Sequence, residues 1–177
     1  EIAASARKRG CQVTVLEAAD RLMGRALPPE IGQAYEALHR GKGVDVRLNT
    51  AIERIEGTGS VEAVVTAAGD RIAADGVVVG IGIDPDTTLA EAAGLEIANG
   101  IVVDEFCRTS DPAIYAAGDA TDHPNPFAGR RLRLESWQNA QNQAIAAANN
   151  ICDVETPFSE VPWFWSDQFD VNLQMCG

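Results

Sequence analysis

The stretch TSDPAIYAAGDA, residues 109–120, decides how the rest of the chain is read. Thr109 to Pro112 have the composition of a turn, and Ala113 to Ala117 are expected to form a buried strand. Gly118 and Asp119 then stand at its carboxyl end, where open α/β sheets bind their ligands. Gly118 lets a ligand come close to the backbone, and an ionised Asp119 can only accept hydrogen bonds, which suits a polyhydroxylated chain. The plainer alternative is an ordinary strand followed by an acidic turn.

Upstream of this stretch, NGIVVDEF (99–106) reads as a hairpin strand, and TTLAEAAGLEI (87–97) as a short helix. Downstream, RRLRLES (130–136) gives another strand and leads into an Ala-rich helix, WQNAQNQAIAAANN (137–150). Ser136 is a competent N-cap for that helix. The small residues Ala140, Ala144, Ala147 and Ala148 would let it pack closely on a neighbouring backbone. A capped core helix without a ligand would look the same. The segment TPFSEVPWFWSDQFDVNLQMC (156–176) alternates aromatic, polar and apolar residues and reads as a small β-containing unit.

The first half follows a different rhythm. EIAASARKRG (1–10) is a helix with Arg7, Lys8 and Arg9 in its last turn and Gly10 at the stop, but with no capping side chain at its start. QVTVLE (12–17) is a strand ending in an acid, and LPPEIGQAYEALHRGKG (27–43) is a second helix entered through Pro28 and Pro29. VDVRL (44–48) is a short strand, and AIERIEG, VEAVVTAAG and DRIAA (51–74) form an antiparallel meander. DGVVVGIGI (75–83) is expected to be a strand buried on both faces of a parallel sheet. Residues 1–83 thus read as half of a doubly wound α/β unit with a meander inserted before its last strand.

Glu17 closes the first strand. In a dinucleotide-binding βαβ unit the acid at that place accepts hydrogen bonds from the adenosine ribose and repels the 2′-phosphate of NADP. It follows a Gly-rich turn by about 20 residues, so that turn is expected upstream of Glu1. Taken alone, a strand ending in Glu is more often a solvated charge.

Bulk properties narrow the field. A chain of 177 residues, 46% hydrophobic and 23% charged, is ordinary globular material. Its net charge of −12 argues against general binding to nucleic acid or anionic membranes. No apolar run is long enough to span a bilayer, and no secretory signal is visible. Cys11, Cys107, Cys152 and Cys176 are scattered without a CxxC, and only His39 and His123 are present. The cysteines read as core residues or incidental thiols of a reducing, cytoplasmic setting, and no metal site is expected.

In order, VTVLEAADRLM, VVVGIG, NGIVVDEFCRTSDPAIYAAGDA, LESWQNA and PWFWSDQ closely resemble the FAD-dependent NADH:ferredoxin reductases of bacterial oxygenase systems, within the pyridine nucleotide-disulphide oxidoreductase superfamily. The resemblance covers essentially the whole chain. It implies two Rossmann-like FAD- and NAD-binding domains, here partial, and a small α+β C-terminal domain. By that reading 1–83 belong to the NAD(H) domain without its first strand and Gly-rich turn, 84–153 to the second half of the FAD domain, and 154–177 to the start of the C-terminal domain. The chain on its own is then expected not to hold FAD.

The resemblance also implies roles. Glu17 would select NADH with Arg21 nearby, Gly82 would admit the nicotinamide side, and Glu135 would face the carboxamide. Gly118 and Asp119 would hold the ribityl chain. Ser136, Trp137 and Gln138 would meet the flavin at the helix start, and Trp163 or Trp165 would lie near the flavin and a docking surface. Arg130, Arg131 and Arg133 would offer a basic patch to an acidic ferredoxin-type iron–sulfur partner. No catalytic acid or base is implied, since the cofactor carries the reactivity. Two alternatives within the superfamily remain at this point: a disulfide-type reductase, and an apoptosis-inducing-factor-like flavoprotein that acts by redox-dependent association.

Overall fold

Helix α1 (Ile2–Lys8) starts without a side-chain cap and ends in Arg7 and Lys8, cations suited to the negative end of its dipole. It leads into β1 (Thr14–Leu16), and α2 (Pro29–Gly41) carries the chain to β2 (Asp45–Arg47). β1 and β2 pair in parallel, Val15 opposite Val46. Proline at the first turn of α2 costs no hydrogen bond, because the N–H groups there have no intrahelical acceptor. Gly32, Tyr35 and His39 form its buried face. At Gly32 a Cβ would meet the Leu22 carbonyl oxygen at 2.7 Å, so glycine is required by that close approach.

The meander follows as expected: β3 (Ile52–Glu56), β4 (Ala63–Thr66) and β5 (Arg71–Ala73) form an antiparallel sheet in that order. All four residues of β4 are buried, as befits its central place. Half-buried Glu56 pairs with Arg54 on its own strand and with Arg71 across the sheet.

The expected strand at 75–83 does not form. Val78, Val79 and Ile81 are 68%, 62% and 84% exposed. An interior strand needs hydrogen-bonded neighbours on both edges, and β1 and β2 pair only with one another.

The structure, a computed structural model, describes residues 1–177 and forms two compact units. The first comprises Glu1–Ile81 and Asp167–Val171, the second Gly82–Ser166 and Asn172–Gly177. The second begins with a short helix, α3 (Thr88–Ala92), and a three-stranded sheet of β6 (Ile101–Val102), β7 (Thr121–Asn125) and β8 (Arg130–Leu132). β6 was expected in a hairpin; apart from one antiparallel bridge between Ile97 and Ile101, it runs parallel to β7.

The buried strand expected at 113–117 is also absent. Ala113 is exposed, and only Tyr115 makes a bridge, to Arg108. The turn before it already satisfies this backbone: Thr109 N–H donates to the Ile114 carbonyl and Ala116 N–H to the Cys107 carbonyl, at 3.0 and 3.1 Å. Strand structure appears instead after Gly118, in TDHPN, whose polar residues and proline carry no strand pattern.

Helix α4 (Trp137–Ile151) buries Asn139, Gln143, Ala146 and Ala147. Ala144 and Ala148 are exposed, so the expected stripe is correct only in part. Cys107, Ala146, Ala147 and Phe158 make the core of this unit, with Tyr115 and Ala117 against it. Asn150 ties the end of α4 to the carbonyls of Phe106 and Thr156, at 3.0 and 2.8 Å. Finally β9 (Trp163–Gln168) and β10 (Val171–Cys176) pair through a two-residue turn. Cys107 is buried, whereas Cys11, Cys152 and Cys176 are exposed free thiols.

Candidate functional site

Gly118 has φ +86°, a conformation that a side chain would strain. Its N–H donates to Gln143 Oε1 at 2.7 Å, and Thr121 N–H returns to the Gly118 carbonyl at 3.0 Å. The Thr121 hydroxyl sits between the Gly118 carbonyl, at 2.8 Å, and Gln143 Oε1, at 2.9 Å. A Cβ at Gly118 would stand 3.5 Å from Ala140 Cβ, an ordinary contact distance, so the positive φ rather than crowding calls for glycine. Asp119, next in the chain, is exposed.

The start of α4 lies in the same unit. Ser136 Oγ accepts the Asn139 N–H at 3.2 Å, and the Ser136 carbonyl takes that of Ala140 at 3.0 Å. The backbone N–H groups of Trp137 and Gln138 precede any intrahelical acceptor and carry the positive end of the dipole. Asn139 Nδ2 holds the Leu134 carbonyl at 3.1 Å and so fixes the approach to the helix. The Gln138 and Asn142 side chains both donate to Glu160 Oε2, at 3.1 and 2.7 Å.

Arg133 joins these two parts. Its Nη1 donates to Glu135 Oε1 at 2.7 Å and lies 3.5 Å from the Asp119 carbonyl. Its Nε reaches Asn99 Oδ1 at 3.3 Å. Arg131, though exposed, also bonds within the unit, donating to Asp122 Oδ1 at 3.1 Å, to the Val103 carbonyl at 2.9 Å and to the Asp122 carbonyl. Of the arginines expected to offer a basic patch, Arg131 and Arg133 thus also hold their own unit together, where buried Asp122 and the nearby carbonyls need donors, while Arg130 and Arg131 remain exposed.

Three tryptophans meet beside the helix start. Trp163 and Trp165 stack at 5.1 Å between centroids, and Trp137 meets Trp165 edge-on at 6.1 Å. Trp165 is thus the ring that touches both others. Trp137, 69% exposed, and Trp165, 38% exposed, leave an aromatic face open to solvent.

In the other unit, Glu17 lies one residue past β1 and is half-buried. Its Oε1 accepts the Ala19 N–H at 2.8 Å, and its other oxygen takes no protein donor. Arg21 donates to the Gly24 carbonyl at 3.0 Å, and its Nε is buried without a partner. No hydrogen bond joins Arg21 to Glu17. Gly82, with φ +100°, is the first residue of the second unit.

Sequence reasoning brought Gly118, Asp119, Glu135, Ser136, Trp137, Gln138 and Trp165 to attention, and all lie in the second unit. It missed Gln143, Thr121 and the inward role of Arg133. The available signal was a glutamine on the small-residue face of an Ala-rich helix, where a polar side chain must find a buried partner.

The fold and sequence now have counterparts. The pyridine nucleotide-disulphide oxidoreductase family matches residues 1–144. The chain is 48% identical over its whole length to the anthranilate 1,2-dioxygenase system ferredoxin--NAD(+) reductase component of Burkholderia cepacia, and spans 44% of that protein. It is 46% identical over its whole length to rhodocoxin reductase of Rhodococcus erythropolis, and spans 42% of it. Among solved structures, the covalent putidaredoxin reductase–putidaredoxin complex superposes with a TM-score of 0.93 at 42% identity, over 99% of this chain and 43% of the other. The chain thus spans under half the length of these relatives. With the family match running over most of its length, the chain belongs to the pyridine nucleotide-disulphide oxidoreductase family.

Proposed function

We propose that this chain serves in an FAD-dependent oxidoreductase that takes electrons from NADH and passes them to a ferredoxin-type iron–sulfur protein of an oxygenase system, in the cytoplasm. The observation that carries the reading is the pairing, in one unit, of the Gly118–Asp119 turn with the free N–H end of α4. An exposed carboxylate beside a positive-φ glycine and two uncapped N–H groups suit a group with a polyhydroxyl chain at one end and an electron-rich carbonyl edge at the other. The residues therefore fit FAD. The printed names of the relatives, a ferredoxin--NAD(+) reductase component and rhodocoxin reductase, support the same reading.

When bound, FAD would supply hydride acceptance from NADH and one-electron release. The chain's own residues bind and orient. Asp119 would accept hydrogen bonds from the ribityl hydroxyls, and the N–H groups of Trp137 and Gln138, ordered by the Ser136 cap, would meet the flavin carbonyl edge. The helix dipole favours negative charge there, and hence reduction. Glu135, steadied by Arg133, faces the nicotinamide carboxamide, and Gly82 leaves room for the nicotinamide. Glu17 accepts from the adenosine ribose with Arg21 close in sequence. The exposed face of Trp165 and Trp137 forms the edge toward the iron–sulfur partner. In domain terms we assign 1–83 to NAD(H), 84–153 to FAD and 154–177 to the C-terminal domain.

The test is turnover of the FAD-loaded holoprotein. NADH-dependent reduction of a ferredoxin, followed by a cytochrome acceptor, is the expected result. Slow turnover with a long-lived reduced-flavin complex and a change of oligomeric state would replace this reading with that of a redox-controlled binding protein.

A further inference from the structure

Gln143 is fully buried, at 0% exposure, yet it lies on α4 seven residues past the helix cap and outside the reach of the helix's free N–H groups. Its Oε1 is the acceptor for the Gly118 N–H, at 2.7 Å, and lies 2.9 Å from the Thr121 hydroxyl. A backbone N–H can only donate, so the amide must present oxygen to Gly118; that fixes its orientation. The contact reaches across 25 residues and ties the turn carrying Asp119 to α4. No other side chain takes the Gly118 N–H, and the turn has no strand on its N-terminal side to hold it.

We infer that Gln143 is a positioning residue: it locks the Gly118–Asp119 turn to α4, so that the Asp119 carboxylate and the α4 N-terminus engage one flavin together. The inference rests on the reading of this site as flavin-binding. It assigns Gln143 no contact with the cofactor. Its work is to keep two binding elements in register, which spares the ligand the cost of ordering the turn.

The experiment compares wild type, Gln143→Met and Gln143→Glu as holoprotein. Methionine keeps the length and bulk without a comparable acceptor, and glutamate restores the acceptor. Two quantities are read: exchange of the Gly118 amide hydrogen, and the dissociation constant for FAD. With Met, both should rise by about tenfold, the effect of one buried hydrogen bond. With Glu, both should return toward wild type, and the visible flavin spectrum, shifted in Met, should recover. Unchanged Gly118 exchange in the Met variant would overturn the inference, as would equal loss of FAD affinity in Met and Glu, which would mean packing alone. If the full-length wild-type protein, of which this chain spans a part, bound no FAD while its Gly118 amide stayed protected, the flavin reading itself would fall, and the two failures are thereby told apart.

Discussion

Arg133 and Glu135 form a 2.7 Å ion pair in which the arginine side chain is 12% exposed and the glutamate 33%. The same guanidinium faces the Asp119 carbonyl and Asn99, so the pair is anchored on one side and open on the other. That asymmetry suits a carboxylate that must hold still while facing a ligand. Glu135→Gln should leave FAD content unchanged and slow flavin reduction by NADH about tenfold in stopped-flow measurements, the scale of one charge-assisted hydrogen bond. Arg133→Ala should do the same and also lower the melting temperature, since it abandons Asn99 and the Asp119 carbonyl as well.

Ser136 supplies the cap of α4 through its 3.2 Å bond from the Asn139 N–H. Ser136→Ala should destabilise the second unit by about 1 kcal/mol, and Ser136→Asp should not. For a chain of this length that loss corresponds to about 2–4 °C in melting temperature, measurable by calorimetry. An equal loss in the aspartate variant would show that the hydroxyl's packing, not its acceptor, matters.

These caps and turns also mark what the sequence could convey. The Ser136 cap, the proline entry of α2 and the 51–74 meander are local chemistry, and each formed where its residues predicted. The strands expected at 75–83 and 113–117 failed because a strand is defined by its neighbours. An apolar run without a hydrogen-bonded partner stays extended and exposed, as Val78 and Ile81 are. β7 was illegible for the opposite reason: Thr121, Asp122, His123 and Asn125 are polar yet buried, and Thr121 and Asn125 are held in part by Gln143 and the Glu160 carbonyl, far away in sequence. Arg131 and Arg133 looked like surface charge because a sequence does not reveal that Asp122 is 6% exposed and in need of a donor. Of the site, the glycine, the acid and the cap were readable; Gln143, which ties them together, was not.

His123 is 1% exposed, meets Phe158 edge-on at 5.3 Å, and has no hydrogen-bond partner at either ring nitrogen. Burial holds its pKa below the ordinary value; nearby Asp122 opposes that shift and Arg131 reinforces it. A folded-state pKa below the unfolded one means that the unfolded chain binds the proton more readily. The stability contributed by neutral His123 is therefore complete above the unfolded value, near 6.5, and is lost as pH falls through the window beneath it. Melting temperatures of wild type and His123→Leu, followed from pH 7.5 downward, should diverge, the variant losing less. Parallel curves would remove His123 as a source of acid sensitivity.

Cys107 is 1% exposed, and burial, helped by Asp104, pushes its thiol up to about 11. At pH 8 iodoacetamide should modify Cys11, Cys152 and Cys176 in the native protein and reach Cys107 only after unfolding, as counted by mass spectrometry. Its stabilising contribution is whole below the unfolded thiol value, near 9, and declines as pH rises toward 11. Rapid native labelling of all four cysteines would show that the α4 core opens far more often than its packing implies.

Glu17 offers one carboxylate oxygen at the end of β1, the other being engaged by the Ala19 N–H at 2.8 Å. The engaged oxygen fixes the rotamer, so the free one is directed rather than mobile. A ribose with two hydroxyls can donate to it, whereas a 2′-phosphate would bring like charge against a half-buried carboxylate. The holoprotein should therefore prefer NADH over NADPH. Glu17→Ala should relax that preference about tenfold or more, the reach of like-charge repulsion at short range in a partly exposed site. The measurement is the ratio of flavin reduction rates with the two nucleotides, at low and at high salt. Because the repulsion is partly screened, the wild-type preference should narrow at high salt while the alanine variant changes little. Equal rates with both nucleotides in the wild type would end the role given to Glu17.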